Sequence, residues 1–319
     1  MRILIETPSW LGDSVMLTPT LQNIEKIYPN SEIILVGSKV SIDILEKYSI
    51  KNYILNRKGN RFLNIWKLAK EIGKVDISLS FRTSFFSGLL QFLSKAEIRV
   101  ARKSLANRIF LTNPIIISQG SHQVEKYLEI LENLEIGEIR KFDLKLNFQP
   151  KQFLKPTLGI NAGATYGSAK RWYPEKFAEV IEKLADRYEI ILFGGDNEIE
   201  INRDIQEVLR KVGITNITNL AGKTSIQELA ENIGGLSLFI TNDSGPMHIA
   251  GAYKIPTVSI FGSTNHTETD QWKNENQKII RKDMECSPCM KRECSFKHHE
   301  CMKQITADDV LKGVESLGR

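Results

Sequence analysis

Twice along its length the chain alternates short runs rich in β-branched residues with amphipathic helical stretches, and that rhythm leaves few folds open. In the first half the runs are RILIET (2–7), SEIILVG (31–37), NYILN (52–56), VDISLSF (75–81), EIRVA (97–101) and PIIIS (114–118), with helical patterns such as TLQNIEKIY among them. Strands that alternate with helices are βαβ units, which build a parallel sheet. Around QPKQFLKP (149–156) the periodicity lapses and two prolines appear, the signature of a linker. The rhythm then restarts with TLGINAG (157–163), a helix from about Pro174 to Arg187, YEIILFGG (188–195), NITNLAG (216–222), a helix from about Ser225, LSLFITND (236–243), a helix from Pro246 and TVSIFG (257–262). The expected fold is α/β: two Rossmann-like domains, 1–150 and 151–319, with parallel sheets facing each other across a central cleft. A Cys-rich segment, 286–301, and a C-terminal helix belong to the second domain.

At 319 residues the chain is long enough for a real core in each domain, and 41% hydrophobic with 25% charged residues is a globular composition. The apolar N-terminal run turns polar at Glu6, and no stretch approaches the ~18 apolar residues of a membrane span. The expected location is therefore cytoplasmic. A net charge of +5 is too mild to imply nucleic acid. Its distribution matters more, because Arg57, Lys58, Arg61, Arg82, Arg99, Arg102, Lys103 and Arg108 crowd one part of the first half, which permits an anionic partner or a membrane surface.

The two strand-to-helix loops most exposed to function differ in chemistry. After the first strand, PSWLGDS stands where GxGxxG would cradle a phosphate; it offers one glycine, Gly12, and then a carboxylate, Asp13. In the second half, LFITNDSGPMHIAGA ends a strand at Asn242 and Asp243, passes through Ser244 and Gly245, and starts a helix at Pro246. Free amides at such a helix start form an anion site, with His248 about one turn in; the competing reading is a plain capping Asp243 and a buried, satisfied His248. NAGATYGSAKRWYP carries Gly163, Thr165, Gly167 and Ser168 ahead of Lys170 and Arg171, which fits diphosphate binding, or else a solvated basic turn. ILFGGDNE places Glu198 where a carboxylate commonly meets ribose hydroxyls, or merely caps a helix.

All four cysteines, Cys286, Cys289, Cys294 and Cys301, fall in MECSPCMKRECSFKHHECM. Such a run permits a structural Zn site, a disulfide or redox-labile pair, or plain reduced thiols. RFLNIWKLAKEI (61–72) reads as a core-facing amphipathic helix, with contact to a membrane surface as the alternative.

PSWLGDSVMLTPTL, GATYGSAKRWYPEKFAEV, LFGGDNE and TNDSGPMHIAGA occur in order over nearly the whole chain, and together they resemble the ADP-heptose:lipopolysaccharide heptosyltransferases, glycosyltransferase family 9. KRWYP and CSPCMKREC resemble its second-heptose branch more than its first-heptose branch. The resemblance implies a GT-B type fold and transfer of L-glycero-D-manno-heptose from ADP-heptose to the first inner-core heptose of Kdo-lipid A, with inversion and with no cofactor required. Addition of the first heptose to Kdo and a nucleotide-sugar epimerase on the same fold are the alternatives. It implies Asp13 as general base, Lys170 as a cation on the diphosphate, Glu198 near the adenosine ribose, and Asp243, Ser244, Gly245 and His248 around the phosphates and heptose. Amides of Ser244, Gly245 and Met247 would hold leaving-group charge, since Pro246 has none; Thr165 is assigned to the donor from its loop position alone. The anionic Kdo-lipid A acceptor points to Arg57, Lys58, Arg61, Arg82 and Lys103, and its location implies a peripheral place on the inner face of the inner membrane. Nucleic acid is not an expected partner.

Overall fold

Strand β1 (Arg2–Glu6) is buried along Ile3, Leu4, Ile5 and Glu6, the unbroken burial of a strand covered on both faces. In the computed structural model, which describes residues 1–134 and 137–319, it lies third in a six-stranded parallel sheet. It is followed by α1 (Leu11–Met16), α2 (Thr18–Ile27), β2 (Glu32–Gly37), α3 (Lys39–Leu45), β3 (Lys51–Ile54) and α4 (Arg61–Ile72). Then come β4 (Ile77–Ser80), α5 (Phe85–Leu93), β5 (Ile98–Arg102), β6 (Asn113–Ile115) and α6 (Gln123–Glu132). The strand order is β3-β2-β1-β4-β5-β6, so β1 and β4 are central and the winding reverses between them.

The second unit repeats the plan with β7 (Thr157–Asn161), α7 (Pro174–Leu184), β8 (Glu189–Phe193), α8 (Ile199–Lys211), β9 (Ile217–Asn219) and α9 (Ile226–Gly234). It continues with β10 (Leu238–Asn242), α10 (Gly245–Ala252), β11 (Thr257–Ile260), α11 (His266–Thr269), β12 (Gln277–Ile280), α12 (Glu300–Lys303) and α13 (Ala307–Ser316). The order β9-β8-β7-β10-β11-β12 is the same winding, with the reversal between β7 and β10. Local chemistry sets the helix starts: Ser225 and Glu228 form a reciprocal capping box at α9, Thr306 and Asp309 another at α13, and Pro174 opens α7.

The chain divides at Asn147/Phe148, and each unit has its own core. One core centres on Leu4, Ile34, Val36, Ile65 and Val75, the other on Leu158, Ile160, Phe177, Leu192 and Ile240. The segment read as a linker is tied to the second unit: Lys151 N donates to Glu231 O at 2.8 Å and Tyr253 Oη donates to Phe148 O at 3.0 Å. The structure adds one strand to those expected, β12, a four-residue edge strand with two polar members. Helix α4 also departs from expectation. Ile65, Ala69 and Ile72 face the core, while Phe62, Leu63 and Trp66 are exposed, so the helix is apolar on two faces. Among the described residues no helix is long and apolar enough to cross a membrane.

Candidate functional site

In an open parallel sheet of this winding, the connections from the two central strands leave toward opposite faces, and ligands bind at the carboxyl edge between them. In the first unit Glu6 ends β1 and Ser80, its partner in register, ends β4. Glu6 is buried, and its carboxylate accepts hydrogen bonds from Ser80 Oγ at 2.6 Å and Ser87 Oγ at 3.1 Å. Burial pushes this carboxyl above the ordinary range, against the opposing pull of Arg82, whose Nε lies 3.8 Å from Oε1. Arg82 Nη1 is buried with no hydrogen-bond partner among the described residues. A guanidinium nitrogen left that way is costly until an acceptor arrives. Arg57 Nη2 donates to Ser9 Oγ at 2.9 Å, and burial, with Arg82 and Arg61 nearby, holds its guanidinium below the ordinary value. Arg61 stacks its guanidinium over the Phe86 ring, 3.9 Å from the centroid. Of the five basic residues expected here, Arg82 and Arg57 lie beside Glu6 and Arg61 lies near Arg57. Lys58 and Lys103 stay exposed and make no side-chain contact with that group among the described residues.

Asp13 is the third residue of α1, half-buried, and the position before the helix is Trp10, so capping is not its role. Tyr127 reaches it from α6: the buried phenol is hydrogen-bonded to the Asp13 carboxylate, and burial together with that negative charge holds its proton well above the usual range. The Tyr127 ring meets Phe81 edge-on at 5.3 Å, and Phe81 precedes Arg82. The carboxylate and the arginine group therefore share one wall of the first unit.

In the second unit, the loop leaving β7 and the start of α10 leaving β10 occupy the equivalent place. Lys170 Nζ and Asp243 Oδ2 form a largely buried ion pair at 2.6 Å, and Thr264 Oγ1 donates to the same carboxylate. The cation and the acid, expected separately on the phosphates, are thus brought together. Lys170 also lies over the Tyr166 ring at 4.8 Å. Asn242 clamps both loops, its Nδ2 donating to Ala162 O at 2.7 Å and its Oδ1 accepting from Trp172 N at 3.1 Å. Asn161 Nδ2 donates to Ser244 Oγ at 3.0 Å and Gly163 O at 3.1 Å. The Ser244 and Gly245 N–H groups stand at the helix start, where a helix supplies no internal acceptor. Met247 is a correction: its N–H donates to Ser244 O at 3.1 Å and its side chain is fully buried, so it does not join them. His248 is buried one position further into α10. Glu198 is buried too, accepting from Gly195 N at 2.9 Å. A Cβ on Gly163 would fall 2.0 Å from the Glu198 carboxyl carbon, so only glycine lets that carboxylate approach the β7 loop. Thr165 is exposed at the tip of that loop.

The Cys-rich segment is packed against the Lys170 loop. Ala169 N donates to Arg292 O at 3.0 Å, Tyr166 Oη donates to Met290 O at 2.9 Å, and Tyr173 Oη meets His299 Nδ1 at 3.0 Å. Of the three readings the cysteine run permits, the Zn site has no ligand set in place: among the described residues no group of three Cys, His, Asp or Glu side chains could hold a metal ion. Cys301 is buried beside Gly262, and its thiol is pushed up to about 11 by burial and by the other three sulfurs. Cys294 is held below its ordinary value by backbone N–H groups, that of His299 foremost.

Sequence reasoning passed over Glu6, Tyr127, Asn161, Asn242 and Thr264. The available signal was position, since Glu6, Asn161 and Asn242 are the polar residues that end three central strands.

With this geometry in view, comparison with known proteins is informative. The profile described as glycosyltransferase family 9 (heptosyltransferase) matches residues 65–300. The lipooligosaccharide heptosyltransferase 2 of Campylobacter jejuni is 39% identical over 326 residues, covering 99% of both chains. Among solved structures, a family 9 glycosyltransferase from Veillonella parvula superposes with a TM-score of 0.85 at 23% identity, covering 99% of this chain and 96% of that one. Escherichia coli ADP-heptose heptosyltransferase II does so at 0.84 and 22%, covering 99% and 98%, and these likenesses bear on the fold. Twin parallel sheets of matching winding, a full-length relative and a profile spanning most of the sequence agree, and the chain belongs to glycosyltransferase family 9, the heptosyltransferases.

Proposed function

We propose that this glycosyltransferase moves L-glycero-D-manno-heptose from ADP-heptose to the first inner-core heptose of Kdo-lipid A. Support for the donor and for the second-heptose step comes from the full-length likeness to a lipooligosaccharide heptosyltransferase 2. The observation that carries transfer over epimerisation lies in the first unit, where the Asp13 carboxylate is held by Tyr127 and the same unit carries Arg82 with a buried nitrogen left without an acceptor. An epimerase acts on one sugar nucleotide and has no use for a base and an anion receptor in its other domain.

In the reaction, the acceptor hydroxyl attacks the anomeric carbon as Asp13 accepts its proton, and the anomeric C–O bond breaks with its electron pair leaving on ADP. The Ser244 and Gly245 amides and Lys170 stabilise charge growing on the diphosphate. Lys170 can do this because its present partner, Asp243, is itself held by Thr264 and remains when an anionic donor competes for the ammonium. Glu198 lies near the ribose, and His248 faces the heptose. Arg57, Arg61 and Arg82 take the anionic groups of the acceptor, and a peripheral place on the inner membrane follows from where that acceptor resides.

The test is transfer to a de-acylated Kdo-lipid A core carrying one heptose, with the Asp13→Asn variant alongside. Turnover should fall roughly 10²–10⁴-fold in the variant while ADP-heptose binding holds. A wild type that transfers only to the core without heptose would move the assignment to the first-heptose step. Isomerisation of ADP-heptose without transfer would end the reading.

A further inference from the structure

Between Lys47 and Val124 the sequence carries fourteen lysines and arginines against three carboxylates, in a chain whose total is only +5. Within it, 98–124 contains no acidic residue. The same stretch holds exposed large apolar side chains, among them Ile109 at 74%, Phe62 at 58% and Trp66 at 51%. They are not scattered. Phe62 of α4 meets Phe85 and Phe86 of α5 edge-on at 5.9 and 5.0 Å, and Phe85 meets Phe110 at 5.1 Å, which joins α4, α5 and the 108–110 turn into one face. Trp66 lies one helical turn from Phe62 on the same side of α4, and Ile109 precedes Phe110. Cations sit among these rings, with Arg61 over Phe86, Arg99 at 5.9 Å from Phe92 and Lys70 at 5.5 Å from Trp66.

A protein partner would be expected to bring its own mixture of charges and find mixed charges here. This face has almost no acid and alternates aromatic and aliphatic tips with lysine and arginine; Phe86 at its base packs against the core, while Phe62, Trp66 and Ile109 stand out from it. That is the composition of a surface that lies in a lipid interface, with apolar tips among the acyl chains and cations on the phosphates. We infer that the α4–α5–Phe110 face is a docking surface for an anionic phospholipid bilayer. It rests on the acceptor reading above for its purpose: Arg61 belongs both to this face and to the arginines proposed for the acceptor, so a lipid-anchored acceptor in the docked bilayer lies next to the residues proposed to receive it.

The experiment is co-sedimentation of the full chain with vesicles of phosphatidylglycerol and phosphatidylethanolamine, and with vesicles of phosphatidylcholine alone. The wild type is compared with Trp66→Ser/Leu105→Ser/Ile109→Ser and with Lys67→Glu/Arg108→Glu, residues outside the proposed catalytic and acceptor-binding groups. Expected are preference for the anionic vesicles, weakened by salt, and a loss of about tenfold or more in either variant. Transfer to the de-acylated, soluble acceptor should stay within about twofold of wild type, as exposed substitutions perturb folding little. Wild-type protein left in the supernatant with anionic vesicles overturns the inference, as do variants that bind like wild type. A variant that alters self-association with vesicle binding intact assigns the face to a second copy of the chain instead. Vesicle binding without any transfer by the wild type would remove the proposed reaction and leave the surface standing.

Discussion

Single side chains carry most of what is new about the site. Tyr127 donates to Asp13 and so favours the ionised carboxylate. Replacing it with Phe should move the acidic limb of kcat/KM upward by about one to two pH units, since losing a hydrogen bond to a charged group costs about 1.5–3 kcal/mol; an unmoved limb would separate Tyr127 from the base. Glu6 makes a prediction of opposite character. Its folded-state value lies above the unfolded one, so its contribution to stability is greatest below about pH 4.5 and is lost as pH rises through the raised value. Glu6→Gln imitates the protonated form and lacks this loss. The difference in melting temperature, variant minus wild type, should therefore become more positive between pH 4.5 and pH 7. Asp243→Asn strips a buried ammonium of its partner and should destabilise the protein by about 3–5 kcal/mol in urea unfolding, far more than an exposed pair would.

At the level of elements, the central strands were legible because buried parallel strands must be apolar without interruption, and runs such as IIL in β2 and β8 have no other sensible use. Strand β12 was not, because four residues at a sheet edge, with Gln277 and Lys278 among them, carry no such mark. The Asp13 and Asp243 loops could be found from strand-to-helix punctuation. The ion pair of Lys170 with Asp243 could not, since it depends on two loops meeting across neighbouring strands. Nor could the second apolar face of α4, where Phe62 and Trp66 fit the same helical period as the buried Ile65 and Ala69. The loop bearing Lys170 is the element most open to test. A Cβ at Gly167 would come within 2.2 Å of Arg292 O, so Gly167→Ala must push that loop off the Cys-rich segment. The strain is about 1–3 kcal/mol, and titration calorimetry should find ADP-heptose bound about tenfold more weakly.

Across the whole molecule, one winding is used twice with opposite chemistry at the equivalent place. The first unit ends its opening strand in Glu6 and presents Asp13, the carboxylate proposed to take the proton; the second presents amides and Lys170, the donors proposed for a phosphate. Each unit closes its own core, which leaves four sheet edges in one chain: β3, β6, β9 and β12. These are short, three or four residues apiece, with Lys51 on the first, Pro114 on the second and Lys278 on the last. Unpaired strand edges invite neighbouring copies to extend the sheet, and brevity, lysine and proline are what deter them. Crowded copies of one chain meet along such borders. In this one the borders of both sheets are built so that such meetings do not become aggregation.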